Sequence, residues 1–427
     1  MLSIVMVVFF GLLLLGMPIA HVIVAASTIG VMGDGNSALV IVQQLVNGLN
    51  TYVNLAVPFF IISGDIAAKG LTSERLIDVI NAWTGRLRGG LGIAAVVACT
   101  IFGAITGSAM ATVVAIGALM LPKLLENGYP RGLSIGIIAC AGTLGVMIPP
   151  SIPMLNMAVA LGTSVSAQFL AGVLPGVLTA AAICLYVVYV AKRKNVPLLP
   201  RISFKEKLRV TKRSFWALMF PVLVLGSIYS GLATPTEASV LSLVYVIFVE
   251  LAIYRKISMK EMINIFTKAS ISSATMMLTI AAAKAFVWYM TTAQVPTMLY
   301  NTIVGSISSK YTLIFALILL FFIAGCFTNI QTVVIILGPI LLPVLQYYGI
   351  NAMHFIIICV MMAQIGFITP PFGLCLFVTI KVAKSNMVEV TKASIPIIII
   401  MFVVTMTLVF FPKISLLLPS LVFPSSV

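Results

Sequence analysis

Chemistry in this 427-residue chain can be sought first at two apolar stretches interrupted by tandem prolines. They read Gly145-Val146-Met147-Ile148-Pro149-Pro150-Ser151 and Gly366-Phe367-Ile368-Thr369-Pro370-Pro371-Phe372-Gly373. Each proline deletes a backbone donor and pushes the residue before it out of the α region, so carbonyls one turn earlier lose their partners. In hydrocarbon an unpaired carbonyl costs several kcal/mol, unless a cation or ligand takes it up. Carbonyl and hydroxyl oxygens suit a hard, weakly charged ion such as Na⁺. Two cation sites are therefore expected, each between one of these breaks and a polar segment upstream. The first would use Gly107, Ser108, Gly145, Ile148 and Pro149, and the second Gly325, Thr328, Gly366 and Thr369. Neither segment contains Asp or Glu, which favours Na⁺ over H⁺. The plainer alternative is a proline-kinked span whose Ser or Thr bonds back onto its own helix.

Short polar groups near the breaks, Thr106, Ser108, Ser151, Asn156 and Asn329, are candidates to hold a substrate. Helices starting just after each Pro-Pro pair would aim positive dipole ends at it, which suits a carboxylate. Other notable residues have bland readings beside them. Lys284 and Asp65 are ionisable groups in apolar surroundings, functional by default but able to snorkel or pair. Glu237 after Thr234-Pro235-Thr236 reads as a helix-capping acid, and His21 and His354 as packed single residues. The six cysteines show no CxxC spacing and no His cluster, so metal and disulfide roles are not expected. No nucleophile with a base partner and no phosphate-cradling P-loop occurs, so neither catalysis, an organic cofactor nor a built-in ATPase is expected.

The elements that must position these residues follow from composition. The chain is 61% hydrophobic with mean hydropathy +1.19, and only 8% of it is charged, against about 25% in soluble domains. That excludes a water-soluble enzyme and a disordered chain. The net charge of +15 would suggest nucleic acid in a soluble protein. Here the basic residues lie between apolar runs, so it reads as the positive-inside bias of a polytopic membrane protein that meets lipid and no nucleic acid. Apolar runs fall at about 2–31, 52–68, 89–121, 132–160, 168–191, 214–232, 236–254, 262–292, 311–345, 350–380 and 390–412, long enough to cross a ~30 Å core. The first reads as a retained span, not a signal peptide.

Orientation follows from the basic loop Lys192 to Arg213, which should be cytoplasmic. Walking outward places the N-terminus in the cytoplasm and the C-terminus outside. It also requires runs 89–121 and 311–345 each to begin and end on one side. Each has small or polar residues at its middle, Gly103 to Ser108 and Gly325 to Asn329. Both are therefore read as re-entrant helical hairpins, since irregular backbone at membrane depth must be buried in protein or line a wet cavity.

The two units are repeats. Gly117, Pro122, Gly128, Gly145, Pro149 and Pro150 recur 221 positions later as Gly338, Pro343, Gly349, Gly366, Pro370 and Pro371. Their hairpins open to opposite sides, so the repeat is inverted, the pattern of secondary transporters with a site at the repeat interface. The fold expected is an all-α polytopic membrane protein with inverted repeats, two re-entrant hairpins and two broken helices. Residues 1–88, 166–310 and 386–427 would supply scaffold and C-terminal spans, and 89–165 and 311–385 the two repeats.

Motifs spread along nearly the whole chain resemble the large membrane subunit of tripartite ATP-independent periplasmic (TRAP) transporters. They include Pro58-Phe59-Phe60-Ile61, Arg88-Gly89-Gly90-Leu91, Gly107-Ser108-Ala109, Gly128-Tyr129-Pro130, Ile148-Pro149-Pro150-Ser151-Ile152-Pro153, Ala233-Thr234-Pro235-Thr236-Glu237-Ala238 and Thr369-Pro370-Pro371-Phe372-Gly373. The resemblance implies an elevator transporter of the bacterial inner membrane, driven by Na⁺. It implies a small four-helix membrane subunit and a soluble periplasmic binding protein as partners, and an organic acid, such as a C4-dicarboxylate or a sugar acid like sialic acid, as substrate. The chain departs from the family pattern at Thr112, where many relatives carry an acid. A passive channel and an intramembrane enzyme are the competing classes.

Overall fold

Several helices in this chain end where proline or a left-handed glycine, such as Gly107, Gly128 or Gly162, stops the hydrogen-bond ladder. The computed structural model describes residues 1–200, 202–307, 309–327 and 330–426, without the side chains of Ile330 and Gln331. Arg201 of the basic loop and Thr328 and Asn329 of the second hairpin lie outside the described residues. Among the described residues the fold is all helical, with no strand.

The N-terminal run is not one span. It forms α1 (Leu2–Leu14) and α2 (Ile19–Gly33), parted at Gly16 (φ +79°) and Pro18. A Cβ on Gly33 would lie 1.5 Å from the Met1 methyl carbon, so the start of α1 meets the end of α2 and the pair is a hairpin. The single crossing read over 2–31 is corrected accordingly, and the cytoplasmic N-terminus that rested on it loses its premise. Helices α3 (Leu39–Leu49), α4 (Ala56–Lys69) and α5 (Leu71–Thr84) follow.

The first re-entrant hairpin has arms α6 (Gly90–Thr106) and α7 (Ala109–Glu126), turned at Gly107 (φ +60°). At its base the Gly92 N–H donates to the Tyr129 hydroxyl at 3.2 Å, tying the chain beyond α7 to the start of α6. Removing that acceptor with Tyr129→Phe should leave a buried N–H unpaired and weaken the base by about 1 kcal/mol or more. Faster amide exchange at Gly92 would show it; unchanged exchange would mean the clasp does not hold the base. Beyond lies α8 (Arg131–Leu144), then the break, then α9 (Ile152–Leu161).

A 29-residue α10 (Val165–Arg193) leads into the basic loop and α11 (Phe204–Arg213). Next come α12 (Phe215–Tyr229), α13 (Pro235–Phe248), a π-helical turn Val249–Tyr254, the 34-residue α14 (Met259–Thr292) and α15 (Val295–Ser306). Glu237 is the capping acid read from the sequence: with Thr234 it forms a capping box at α13. In the π-helical turn, the buried Glu250 carboxylate accepts from Leu71 N at 2.9 Å, Thr72 N at 2.8 Å and the Thr72 hydroxyl at 2.6 Å. It caps α5, whose own N-cap residue, Gly70, has no side chain to offer.

The second hairpin has arms α16 (Lys310–Phe327) and α17 (Ile330–Tyr347). The Tyr348 hydroxyl donates to the Ile307 carbonyl, closing this base as Tyr129 closes the first. Then come α18 (Ala352–Phe367), the second break, α19 (Leu374–Ala383), α20 (Met387–Phe410) and α21 (Lys413–Val422). Seven helices among the described residues are long and apolar enough to cross a membrane.

The opposed directions of the hairpins can be measured along α20. Near its start Glu389 pairs with Arg131 at 2.7 Å, beside the base of the first hairpin. At its end the Phe410 ring lies 5.8 Å from that of Tyr311, at the base of the second. The intervening helix rises about 30 Å. Segments grouped on one side by their charges also touch one another: Lys256 pairs with Glu74, Lys207 lies over the Trp83 ring, and Gly128 abuts Pro197. At the opposite end His354, at the start of α18, is bonded to Ser415 at 2.7 Å and is a packed residue.

Candidate functional site

Each hairpin meets its break through a pair of glycines. A Cβ on Gly145 would lie 2.0 Å from Gly103 Cα, and one on Gly103 only 2.4 Å from Gly145 Cα. In the second repeat a Cβ on Gly366 would lie 2.5 Å from Phe322 O and 2.7 Å from the Gly325 carbonyl carbon. Backbone therefore packs on backbone at both places, with no room for any side chain. Gly145, Gly325 and Gly366 are among the residues the sequence assigns to the two cation sites, whereas Gly103 is read there only as part of the tip.

Both breaks leave carbonyls without donors. In the first, Ser151 caps α9, accepting from Met154 N at 3.3 Å, while its hydroxyl donates to the Val146 carbonyl. Among the described residues no hydrogen bond reaches the carbonyls of Gly145, Met147, Ile148 or Pro149. In the second break the Thr369 hydroxyl donates back to Ile365 O at 2.7 Å, and no hydrogen bond among the described residues reaches the carbonyls of Phe367, Ile368 and Thr369. The peptide bonds Pro149-Pro150 and Pro370-Pro371 are both cis.

The first tip is tied by hydroxyls. Ser108 Oγ accepts from Ala111 N at 3.3 Å, the Thr112 hydroxyl donates to Ser108 O at 2.8 Å, and Thr106 Oγ1 lies 3.2 Å from Thr112 Oγ1. Thr112 thus fills, without charge, the place where the family resemblance implies an acid. Helix α4 presses on this tip: a Cβ on Gly64 would lie 2.6 Å from Thr106 Cα.

A cavity of about 490 Å³ opens between this tip, the first break, α4 and α14. Of the sequence-read candidates it contains Thr106, Gly107 and Ser108. The opening residues of α7 (Ala109, Met110, Ala111) and of α9 (Ile152, Pro153) also line it. Two helix N-termini therefore face the space, an arrangement that favours an anionic group. Among the described residues, Asp65 is the one charged residue on its wall. Ser151 and Asn156 lie buried behind that wall, and Gly325, Gly366 and Thr369 are not part of it.

Sequence reading missed the wall that α14 supplies. Ser272, Thr275 and Thr279 on α14 line the cavity; their recurrence on one helical face within an apolar stretch is the signal that could have found them. It also missed two buried polar groups. Neither amide atom of Gln364, nor the hydroxyl of Thr332, has a hydrogen-bond partner among the described residues, and the same holds for the Asn156 amide. These residues sit on α18, α17 and α9, which pack on one another. Unpaired polar groups at such depth mark places where a ligand or water completes the bonding. No group of three or more His, Cys, Asp or Glu able to hold a metal occurs among the described residues.

Opposed hairpins and paired unwound helices meeting at membrane depth define a membrane transporter fold. The model of the DctM component of tripartite ATP-independent periplasmic transporters matches residues 6–414. The chain belongs to that family: it is a large permease subunit of the TRAP class. It is 38% identical to the C4-dicarboxylate TRAP transporter large permease DctM of Pseudomonas aeruginosa, over 86% of each chain. It is 34% identical to the ectoine/5-hydroxyectoine large permease UehC of Ruegeria pomeroyi, over 96% of this chain and 97% of that one. Among solved structures the YdaH transporter of Alcanivorax borkumensis shares the fold, with a TM-score of 0.64 at 13% identity, covering 90% of this chain and 88% of its own.

Proposed function

We propose that this permease takes up a small carboxylate by Na⁺-coupled symport, moving the two hairpins and broken helices as one body against the remaining helices. The observation that carries the coupling is the set of donor-less carbonyls at each break, held against a hairpin by the glycine contacts. Such oxygens cost several kcal/mol each when left bare in hydrocarbon, and an alkali cation satisfies them without the carboxylates that proton coupling would use. Residues 89–165 and 311–385 form the moving body in this reading, with 1–88 and 166–310 as scaffold. Thr328 and Asn329 keep their assigned roles in the second cation site and the substrate site.

The substrate carboxylate rests at the α7 and α9 N-termini, close to Thr106 and Ser108. C4-dicarboxylates and ectoines, which the names of two relatives specify, both bring the carboxylate this requires. A periplasmic binding protein delivers it, and a small membrane subunit completes the transporter in the inner membrane. An isethionate relative named DctMQ, of which this chain covers 64%, is long enough to carry an added segment in one polypeptide.

The test is uptake into proteoliposomes holding the chain with its small subunit, supplied with the binding protein and labelled succinate or ectoine. Accumulation is expected only with an inward Na⁺ gradient. Equal accumulation when K⁺ replaces Na⁺ would reject the coupling, and conduction without saturation would favour a channel.

A further inference from the structure

Between the end of α5 and the start of α11 lies a second cavity, of about 350 Å³, remote from the transport site. Among the described residues, Arg86 and Lys207 are the charged ones on its wall, with Asn81 and Ser203 beside them. No carboxylate among the described residues lines it. Neither cation forms an ion pair among the described residues: Lys207 lies 5.4 Å over the Trp83 ring, and the neighbouring Glu206 is engaged with Arg209 at 3.7 Å. The Trp83 indole N–H donates to the Thr211 hydroxyl at 3.1 Å, which pins α11 to α5 and fixes the width of the cavity. Asn81 Oδ1 is buried there with no partner among the described residues.

The rim is apolar and bare. Phe204 is 69% exposed, and Leu87, Leu198, Ile202 and Leu208 are exposed as well. Exposed apolar groups this closely spaced are costly in water and stable at the boundary of headgroups and acyl chains. Helix α11 has the matching character: it buries no residue against the protein, and it carries Lys205, Lys207, Arg209, Lys212 and Arg213. A basic amphipathic helix of this kind lies in the membrane interface, on the face to which the charge pattern assigns the cytoplasmic leaflet.

We propose that this cavity seats the phosphodiester of an anionic phospholipid, with its acyl chains running past Leu87 and Phe204. The guanidinium of Arg86 can take two phosphate oxygens with its planar fork, while Lys207 contributes a point charge. A free phosphate shares the headgroup chemistry but makes no use of the apolar rim. The bound lipid would fasten α5 and α11 to the bilayer as a fixed reference.

Native mass spectrometry of the full chain in detergent, with an equimolar mixture of phosphatidylglycerol and phosphatidylcholine, tests this. The wild-type chain is expected to retain phosphatidylglycerol preferentially, and millimolar inorganic phosphate should not displace it. Arg86→Ala with Lys207→Ala should lower that retention about tenfold or more, from the affinity each cation near an anionic surface supplies. Lys123→Ala with Lys260→Ala, an equal change in charge elsewhere, should leave it intact. Equal retention of both lipids by the wild-type chain overturns the proposal, whether or not the double variant folds. So does displacement by inorganic phosphate, or retention by the Arg86/Lys207 variant that matches wild type.

Discussion

Alanine at Gly145 is expected to abolish uptake and to lower thermal stability by about 3 kcal/mol, the upper part of the range for overpacking a tight contact. The reason is the identity of the neighbours. A methyl group there would lie 2.0 Å from Gly103 Cα and 2.3 Å from its carbonyl carbon. Both are backbone atoms, so no side chain can swing aside, and the broken helix must move off the hairpin. That movement would also spoil whatever the Gly145 and Ile148 carbonyls hold. The mirror substitution, Gly366→Ala, should behave alike, since its methyl would lie 2.5 Å from Phe322 O. Gly226→Ala is the matched control: nothing lies within 4 Å of a Cβ there, on a helix of the same apolar character. Thermal unfolding in detergent and proteoliposome uptake should be measured on all three. If Gly145→Ala unfolds and transports like Gly226→Ala, the glycine contact is not what joins hairpin to break.

The mirrored pairing explains why so much of the architecture was legible. Glycine and proline fix backbone shape locally, so a repeat of Gly145-Pro149-Pro150 as Gly366-Pro370-Pro371 transmits two unwound segments without any tertiary information. The hairpins were legible for a related reason. Charge counting forced both ends of 89–121 to one side, and the tip it implied is where Gly107 turns the chain. The same counting failed at the N-terminus because hydropathy is blind to a turn inside an apolar run. Gly16 and Pro18 stand there as single punctuation marks, with no charge to register the reversal.

What was not legible depends on lateral neighbours. The hydroxyls of Ser272, Thr275 and Thr279 bond back to their own helix, to Lys268 O, Ile271 O and Thr275 O. Only the approach of α4 and the first tip turns that face into a cavity wall. Gln364 and Thr332 carry no local motif, and their unpaired state becomes visible only once α9, α17 and α18 have closed around them. Carbonyls that lose their donors could be placed to within a few residues, because proline deletes donors at known positions. Substrate hydroxyls could not: of the candidates Thr106 and Ser108 reach the cavity, and Ser151 is consumed in capping α9.

Glu250→Ala should destabilise the scaffold by about 3 kcal/mol or more while leaving the Na⁺ dependence of any residual uptake unchanged. A buried carboxylate that accepts three hydrogen bonds contributes about 1.5–3 kcal/mol through each, less what the unfolded chain recovers from water. Its removal leaves Leu71 N and Thr72 N, at the first turn of α5, facing a void, and Gly70 has no side chain with which to replace it. A preceding residue with its own capping oxygen would make the helix self-sufficient, but a Cβ on Gly70 would lie 2.2 Å from the Glu250 carboxyl carbon. The cap therefore has to come from 179 residues away, and it locks α5 to the end of α13. Thr72→Val, which deletes one of the three bonds, should cost about 1 kcal/mol. Glu250→Gln should fall between the two, since its amide oxygen can still accept while its NH₂ group confronts a donor. Midpoints of thermal unfolding for the three variants should follow that order. A wild-type midpoint for Glu250→Ala would show that water or another residue caps α5 as well as this carboxylate does. A shift in the Na⁺ concentration for half-maximal uptake would instead place Glu250 in the coupling machinery, which its bonding argues against: its three hydrogen bonds end on Leu71 and Thr72, and it does not line the cavity.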